Sequence, residues 1–393
     1  MVIELVVHGV SSDGAGVGRD ADGRVVFVPG ALVDERVAVT VVEEKKRHAV
    51  GQLVQVLEPS PDRVDPTCAE VERGCGGCDL RHASIDGQLR MKERIVLDAL
   101  ERIGRLSEHP APTLVPLDPD GYRTTARCVV VHGHAGYRHR RSAEGLAVAA
   151  CPVLHPGLEE LLVDGDFSGV REVTLRLGAR TGERLVLADP TAAAVDVAQD
   201  VVLVGADELE AGRRAWYHEE VAGRRWRISA RSFFQASPEG AEALASVVGA
   251  MVGAGDGPLV DLYGGVGLFA GTIGWAGPIT LVERAASAVA DARVNLADRS
   301  VKILASPVER WKPSSADVVV ADPARAGLGR RNVEQIAATG CAVAVLVSCD
   351  AGALGRDVGL MVQAGFDLDA ITLVDLFPQT SRVEVVTRFV RGA

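Results

Sequence analysis

Cys349 closes the apolar run Val345–Ser348 and is followed at once by Asp350 and the small residues Ala351, Gly352 and Ala353. That pattern reads as a strand running into a helix. A thiol at such a junction is a candidate nucleophile, because a helix N-terminus favours negative charge and lowers the thiol pKa. A buried inert thiol and a metal ligand are the alternatives. The remaining cysteines divide by neighbourhood. Cys68, Cys75 and Cys78 form C-x6-C-x2-C, and Cys151 follows later in ACPVLHP. Four thiolates suit a four-iron four-sulfur cluster, and they also satisfy tetrahedral zinc. The fourth ligand does not come from a second C-x2-C, the usual zinc-ribbon arrangement. Cys128 and Cys341 lie in apolar runs and read as core. An odd number of cysteines, three of them crowded together, points to metal or catalysis in a reducing compartment rather than to disulfides.

A second set of candidates is acidic. The stretch VDLYGGVGLFAG, residues 260–271, is an apolar strand entering a Gly-rich turn and then a helix. Glycines at such a turn let the backbone bend sharply and approach a ligand closely. Glu283 ends the next strand, ITLVE, at the distance where an acidic residue takes ribose hydroxyls. The plainer alternative is a residue beside a helix N-cap. Asp322 ends a third strand, in DVVVADPARAGL, ahead of a turn set by proline; it is either a plain turn residue or a ligand-binding carboxylate. Glycines, Glu and Asp on successive strand tips fit an adenosyl cofactor. No G-x-x-x-x-G-K-[ST] phosphate loop is present, which disfavours ATP hydrolysis.

These residues need elements to hold them, and the chain divides into three stretches. Residues 1–58 alternate apolar and polar positions between Gly and Asp turns, predicting a small β-barrel. EPSPDRVDP is a Pro-rich boundary. Residues 59–230 hold the cysteine cluster, a helix over 86–104 expected to pack on the catalytic domain, and strand-like runs such as ARCVVVHG and VREVTLRLG. From 231 to 393, short Val, Ile and Leu strands alternate with helical stretches, as in a parallel sheet buried on both faces. Ligands of such sheets sit at the carboxyl ends of the strands, where Glu283, Asp322 and Cys349 fall.

The chain has 393 residues and a formal net charge of −11, with basic stretches at 44–48, 137–142 and 222–234. The length predicts two or three domains. The charge argues against nonspecific coating of nucleic acid, while the basic patches leave RNA or DNA open. No apolar run approaches the roughly 20 residues that span a bilayer, and the first residues lack the basic region of a signal peptide. The expectation is a cytoplasmic protein with no membrane partner.

In order along the chain, five stretches resemble motifs of the S-adenosylmethionine-dependent RNA (uracil-5-)-methyltransferases: SFFQAS the F-x-Q-x-N motif, DLYGGVG the D-L-Y-C-G-x-G motif, DPARAGL the D-P-P-R-x-G motif, VSCD the S-C-N-P motif, and FPQTSRVEVV the F-P-x-T-x-H-V-E motif. The resemblance covers essentially the whole chain. It implies an α/β fold class: a Rossmann-like, seven-stranded class I methyltransferase domain, an N-terminal TRAM (OB-like) β-barrel and a mostly β central iron-sulfur domain. It implies methyl transfer from S-adenosylmethionine to C5 of a uridine flipped out of structured RNA, 23S rRNA first, by a monomer. Uridine 54 of transfer RNA, or RNA binding with weakened catalysis, is the alternative. Redox chemistry is disfavoured by the missing flavin or nicotinamide fingerprint.

By that resemblance Cys349 adds to C6 of the base and Glu384 removes the C5 proton. Gln235, Tyr263, Gly265, Glu283 and Asp322 line the cofactor and base pocket, Asp322 also accepting from N3–H, and Phe233 stacks on the base. Cys68, Cys75, Cys78 and Cys151 hold a [4Fe-4S] cluster, here favoured over zinc. The chain departs from the family pattern at Ser237, Gly264, Leu268, Ala324, Asp350 and Arg382. An ionised Asp350 close to Cys349 would oppose thiolate formation.

Overall fold

The structure is a computed structural model that describes residues 2–392. Strands Val2–Val10, Gly16–Arg19, Val25–Val28, Arg36–Glu44 and His48–Glu58 close into a barrel. Alternation puts Leu5, Val7, Val26, Val28, Val37 and Val39 inside, as the period of two in a strand requires. The Pro-rich stretch that follows is tied down. The fully buried Glu35 accepts from Leu32 N–H (2.8 Å) and from Arg63 Nη2 (2.8 Å), and Arg63 also donates to Gly30 O (2.7 Å).

Helix Ile85–Arg102 begins at Ser84, whose hydroxyl accepts from Gly87 N–H (3.1 Å). That bond satisfies one of the orphan donors of the first turn. Its apolar face, with Met91, Ile95, Val96, Ala99 and Leu100, is buried in the same core as Leu354 and Val358 of helix Ala351–Gln363. The two helices cross closely at Gly355, where a Cβ would stand 2.3 Å from Ala99 O. The middle of the chain forms a six-stranded sheet, Thr125–Val131 and Glu172–Leu177 at its centre, and a hairpin, Trp216–Val221 with Arg224–Ser229.

The third sheet has eight strands, in the order Val301–Ala305, Ile279–Glu283, Leu259–Leu262, Val318–Ala321, Val343–Ser348, Val385–Arg391, Phe366–Val374 and Thr113–Val115. The first five run parallel, and Val385–Arg391 is antiparallel to both its neighbours. The expected seven strands all come from residues after 231. The eighth, Thr113–Val115, pairs parallel with Phe366–Val374. It satisfies the N–H and C=O groups that an open edge would expose. Its three residues between prolines carry no alternation that a sequence reading can detect. No helix among the described residues is long and apolar enough to cross a membrane.

Candidate active site

The strand Leu259–Leu262 passes into a turn in which Tyr263 (φ 60°), Gly265 (φ 55°) and Gly267 (φ 98°) are left-handed. Gly267 has no substitute there, because a Cβ would also stand 2.7 Å from the Leu296 side chain. Gly265 faces open space and donates its N–H to Glu283 Oε2 (3.1 Å). The other Glu283 oxygen accepts from Ala285 N–H (2.6 Å) at the start of helix Ala286–Asn295. Glu283 therefore ties the turn to the start of the next helix, as a residue beside the N-cap would. The Tyr263 hydroxyl accepts from Asn332 Nδ2 (3.0 Å), and burial pushes the phenol up to about 12.

Asp261, within the quoted glycine motif yet not singled out from sequence, is fully buried. One carboxylate oxygen accepts from Ala270 N–H (3.2 Å), and the other has no partner. Burial, with Asp322 and Glu283 nearby, pushes its carboxyl up to about 7. The open face at Gly265 leaves room beside the turn for a ligand.

Register brings the next three residues together. Ser348 is the partner of Val385 and Leu346 the partner of Ala321, so Cys349, Glu384 and Asp322 stand at neighbouring strand tips. Glu384 is 5% exposed. Burial and the nearby Asp322 push its carboxyl well above the ordinary range, while burial pushes Asp322 up to about 7. The Cys349 thiol is pushed up, not down: burial first, then Glu384 and Asp322, raise it to about 11, against a lowering contribution from Arg325. The expected help from the helix N-terminus is outweighed. Asp350 caps helix Ala351–Gln363, accepting from Ala353 N–H (2.8 Å).

The segment carrying Phe233 and Gln235 lies between the hairpin and helix Pro238–Val252. Gln235 is buried, and Phe233 is 68% exposed. Ser237 caps the helix by accepting from Gly240 N–H (3.0 Å). The fully buried Asp291 binds Ser229 Oγ (2.8 Å), Ser232 Oγ (2.6 Å) and Arg227 Nε (2.8 Å), fixing the segment from beneath. Its position in the helical stretch ADARVN gives no hint of this.

Cys68, Cys75, Cys78 and Cys151 line one cavity of about 580 Å³, shared with Tyr137, Arg140, Arg325 and Arg382. Gly77 N–H donates to Cys75 Sγ (3.4 Å), and the Tyr137 hydroxyl is 3.6 Å from Cys151 Sγ. Burial raises the Cys75, Cys78 and Cys151 thiols, the last to about 11. Among the described residues no group of three or more His, Cys, Asp or Glu side chains is gathered so as to hold a metal ion. Cys128 and Cys341 are buried, as their apolar runs predict.

A parallel sheet with a glycine turn after its central strand and carboxylates on the adjacent tips defines the methyltransferase fold, and comparison with known proteins extends this. Residues 1–54 match the TRAM domain. An uncharacterized RNA methyltransferase of Streptomyces avermitilis is 34% identical over 98% of this chain and 96% of its own, and one from Streptomyces coelicolor is 33% identical over 98% and 91%. The chain belongs to this RNA methyltransferase family. Its fold is that of the Pyrococcus abyssi tRNA (uracil-54, C5)-methyltransferase in complex with S-adenosyl-L-homocysteine, with a TM-score of 0.74, 24% identity and 99% of each chain covered.

Proposed function

We propose that the protein methylates C5 of a uridine in structured RNA. The juxtaposition of Cys349, Glu384 and Asp322 carries this reading. S-adenosylmethionine would be held by the turn at Tyr263 and Gly265 with Gln235 and Glu283, and would supply the methyl group to C5, leaving as S-adenosylhomocysteine. C5 of uracil is a poor nucleophile, so the Cys349 thiolate first adds to C6 and makes C5 electron-rich. Asp322 accepts from N3–H and holds the base edge, and the exposed Phe233 offers a stacking face for a base flipped out of its helix. After C5 is methylated, the Glu384 carboxylate takes the C5 proton. The freed electron pair re-forms the C5–C6 double bond, and the C6–S bond breaks to release the Cys349 thiolate. Two adjacent buried carboxyls favour sharing one proton. That leaves one of Asp322 and Glu384 ionised to act.

The four cavity cysteines are read as ligands of a [4Fe-4S] cluster. The reading rests on four cysteines that line one cavity, the fourth of them a lone Cys151 rather than part of the second C-x2-C usual in a zinc ribbon. The cluster's role is structural or in shaping the RNA site, since this methyl transfer moves no electron.

The test is one preparation with two readouts. Anaerobically purified protein is expected to carry about four irons and to transfer labelled methyl from S-adenosylmethionine to uridine in unmodified ribosomal or transfer RNA, ribosomal RNA being the reading preferred. Cys349→Ala is expected to transfer none. Full transfer by that variant overturns the covalent mechanism, and stoichiometric zinc without iron overturns the cluster.

A further inference from the structure

The loop Asp375–Glu384 joins the last two long strands and ends on Glu384. Within it the sheet supplies little hold, and its partners come from far earlier in the chain. Asp79 Oδ1 accepts from Ser381 N–H (2.7 Å) and Asp79 Oδ2 from Ser381 Oγ (2.7 Å). Leu80 N–H donates to Gln379 O (3.0 Å). Gln88 and Gln379 bond reciprocally: Gln88 Nε2 donates to Gln379 Oε1 (3.0 Å), and Gln379 N–H donates to Gln88 Oε1 (2.8 Å). Lys92, fully buried, pairs with the buried Asp375 and donates to Phe377 O (2.9 Å). Lys92 lies on the inner face of helix Ile85–Arg102, where a charge has no place unless it is paired.

We infer that Asp79, Gln88 and Lys92 form a clamp that positions Glu384, so that the segment after the cysteine cluster sets the proton-removal step of the reaction. Asp79 borders the cavity at Cys349, but the hydrogen bonds of all three reach the loop, and they act as positioning residues. The clamp reads the loop at three successive points, Asp375–Phe377, Gln379 and Ser381, and the last lies three residues before Glu384. A loop bonded by backbone and side chain at that spacing has little freedom to move its terminal carboxylate. Left-handed Gln379 (φ 69°), bound on both its backbone and its amide, marks the bend.

This inference rests on the reading of Glu384 as the base, and the experiment separates the two. Loss of the base after methyl transfer leaves the RNA covalently attached to Cys349, because elimination needs the C5 proton removed. Glu384→Gln is the reference for that outcome. Asp79→Ala, a half-buried turn position, and Ser381→Ala are expected to accumulate the same labelled RNA–protein adduct on a denaturing gel and to slow product release about tenfold or more, the scale of losing a hydrogen bond to a charged group. Asp79→Asn keeps one acceptor and is expected to restore release in part. Normal release by Asp79→Ala where Glu384→Gln traps the adduct overturns the clamp and leaves the base intact. If Glu384→Gln itself turns over normally, the base reading falls, and amide hydrogen exchange over 376–384 decides the clamp. Faster exchange in Asp79→Ala supports it, and unchanged exchange overturns it.

Discussion

At Cys349 the physical question is where the proton goes. A thiol raised to about 11 by burial, Glu384 and Asp322 is almost wholly protonated at neutral pH, and only the thiolate attacks. Without RNA, the rate of Cys349 alkylation by iodoacetamide is expected to climb about tenfold per pH unit from 7 to 9, as titration below the pKa requires; a plateau above pH 8 contradicts the raised value. Cys349 and Glu384 stood out in the sequence because both fall in motifs that the chain resembles. The direction of the thiol shift did not. It depends on Asp322 and Glu384, far from Cys349 in sequence and brought beside it only by strand register.

The elements that carry these residues were legible where period and caps were strong. Helix Ile85–Arg102, close to the stretch 86–104 expected from its apolar spacing, and the strand tips at Glu283, Asp322 and Cys349 follow from local pattern. The strand Thr113–Val115, and the carboxylates Asp261 and Asp291 that hold turns from below, do not, since buried polar contacts have no periodicity. Asp350 shows an element explaining a residue. Where the family has Asn, this chain has a side chain that caps helix Ala351–Gln363 through Ala353 N–H, work Asn does equally well. Asp350→Ala is expected to cost about 1 kcal/mol in stability by thermal or urea unfolding, while Asp350→Asn stays within about 0.5 kcal/mol of the parent. Equal stability of all three removes the cap as the reason for an Asp here.

Taken whole, an acidic protein that handles RNA must confine its positive field, and the ion pairs show where. Of the basic stretch 222–234, Arg224 pairs with Asp298, Arg225 with Glu183, Arg227 with Asp291 and Arg231 with Glu210; that patch is neutralised by its own surroundings. Arg123, Arg140, Arg325 and Arg382 instead line the cavity shared by the cysteines, and among the described residues none of them pairs with a carboxylate. Arg141, at the same cavity, reaches the barrel loop at Asp13 (3.2 Å), so barrel, cysteine segment and catalytic sheet meet on one side. Free guanidinium groups facing one cleft are what phosphates bind. Arg123→Ala and Arg325→Ala are each expected to weaken RNA binding and to reduce the slope of log K against log salt by about one. Arg225→Ala is expected to leave both unchanged, because its charge is already spent on Glu183. Equal losses in all three variants, measured by filter binding across a salt series, assign the field to the whole surface rather than to the cleft.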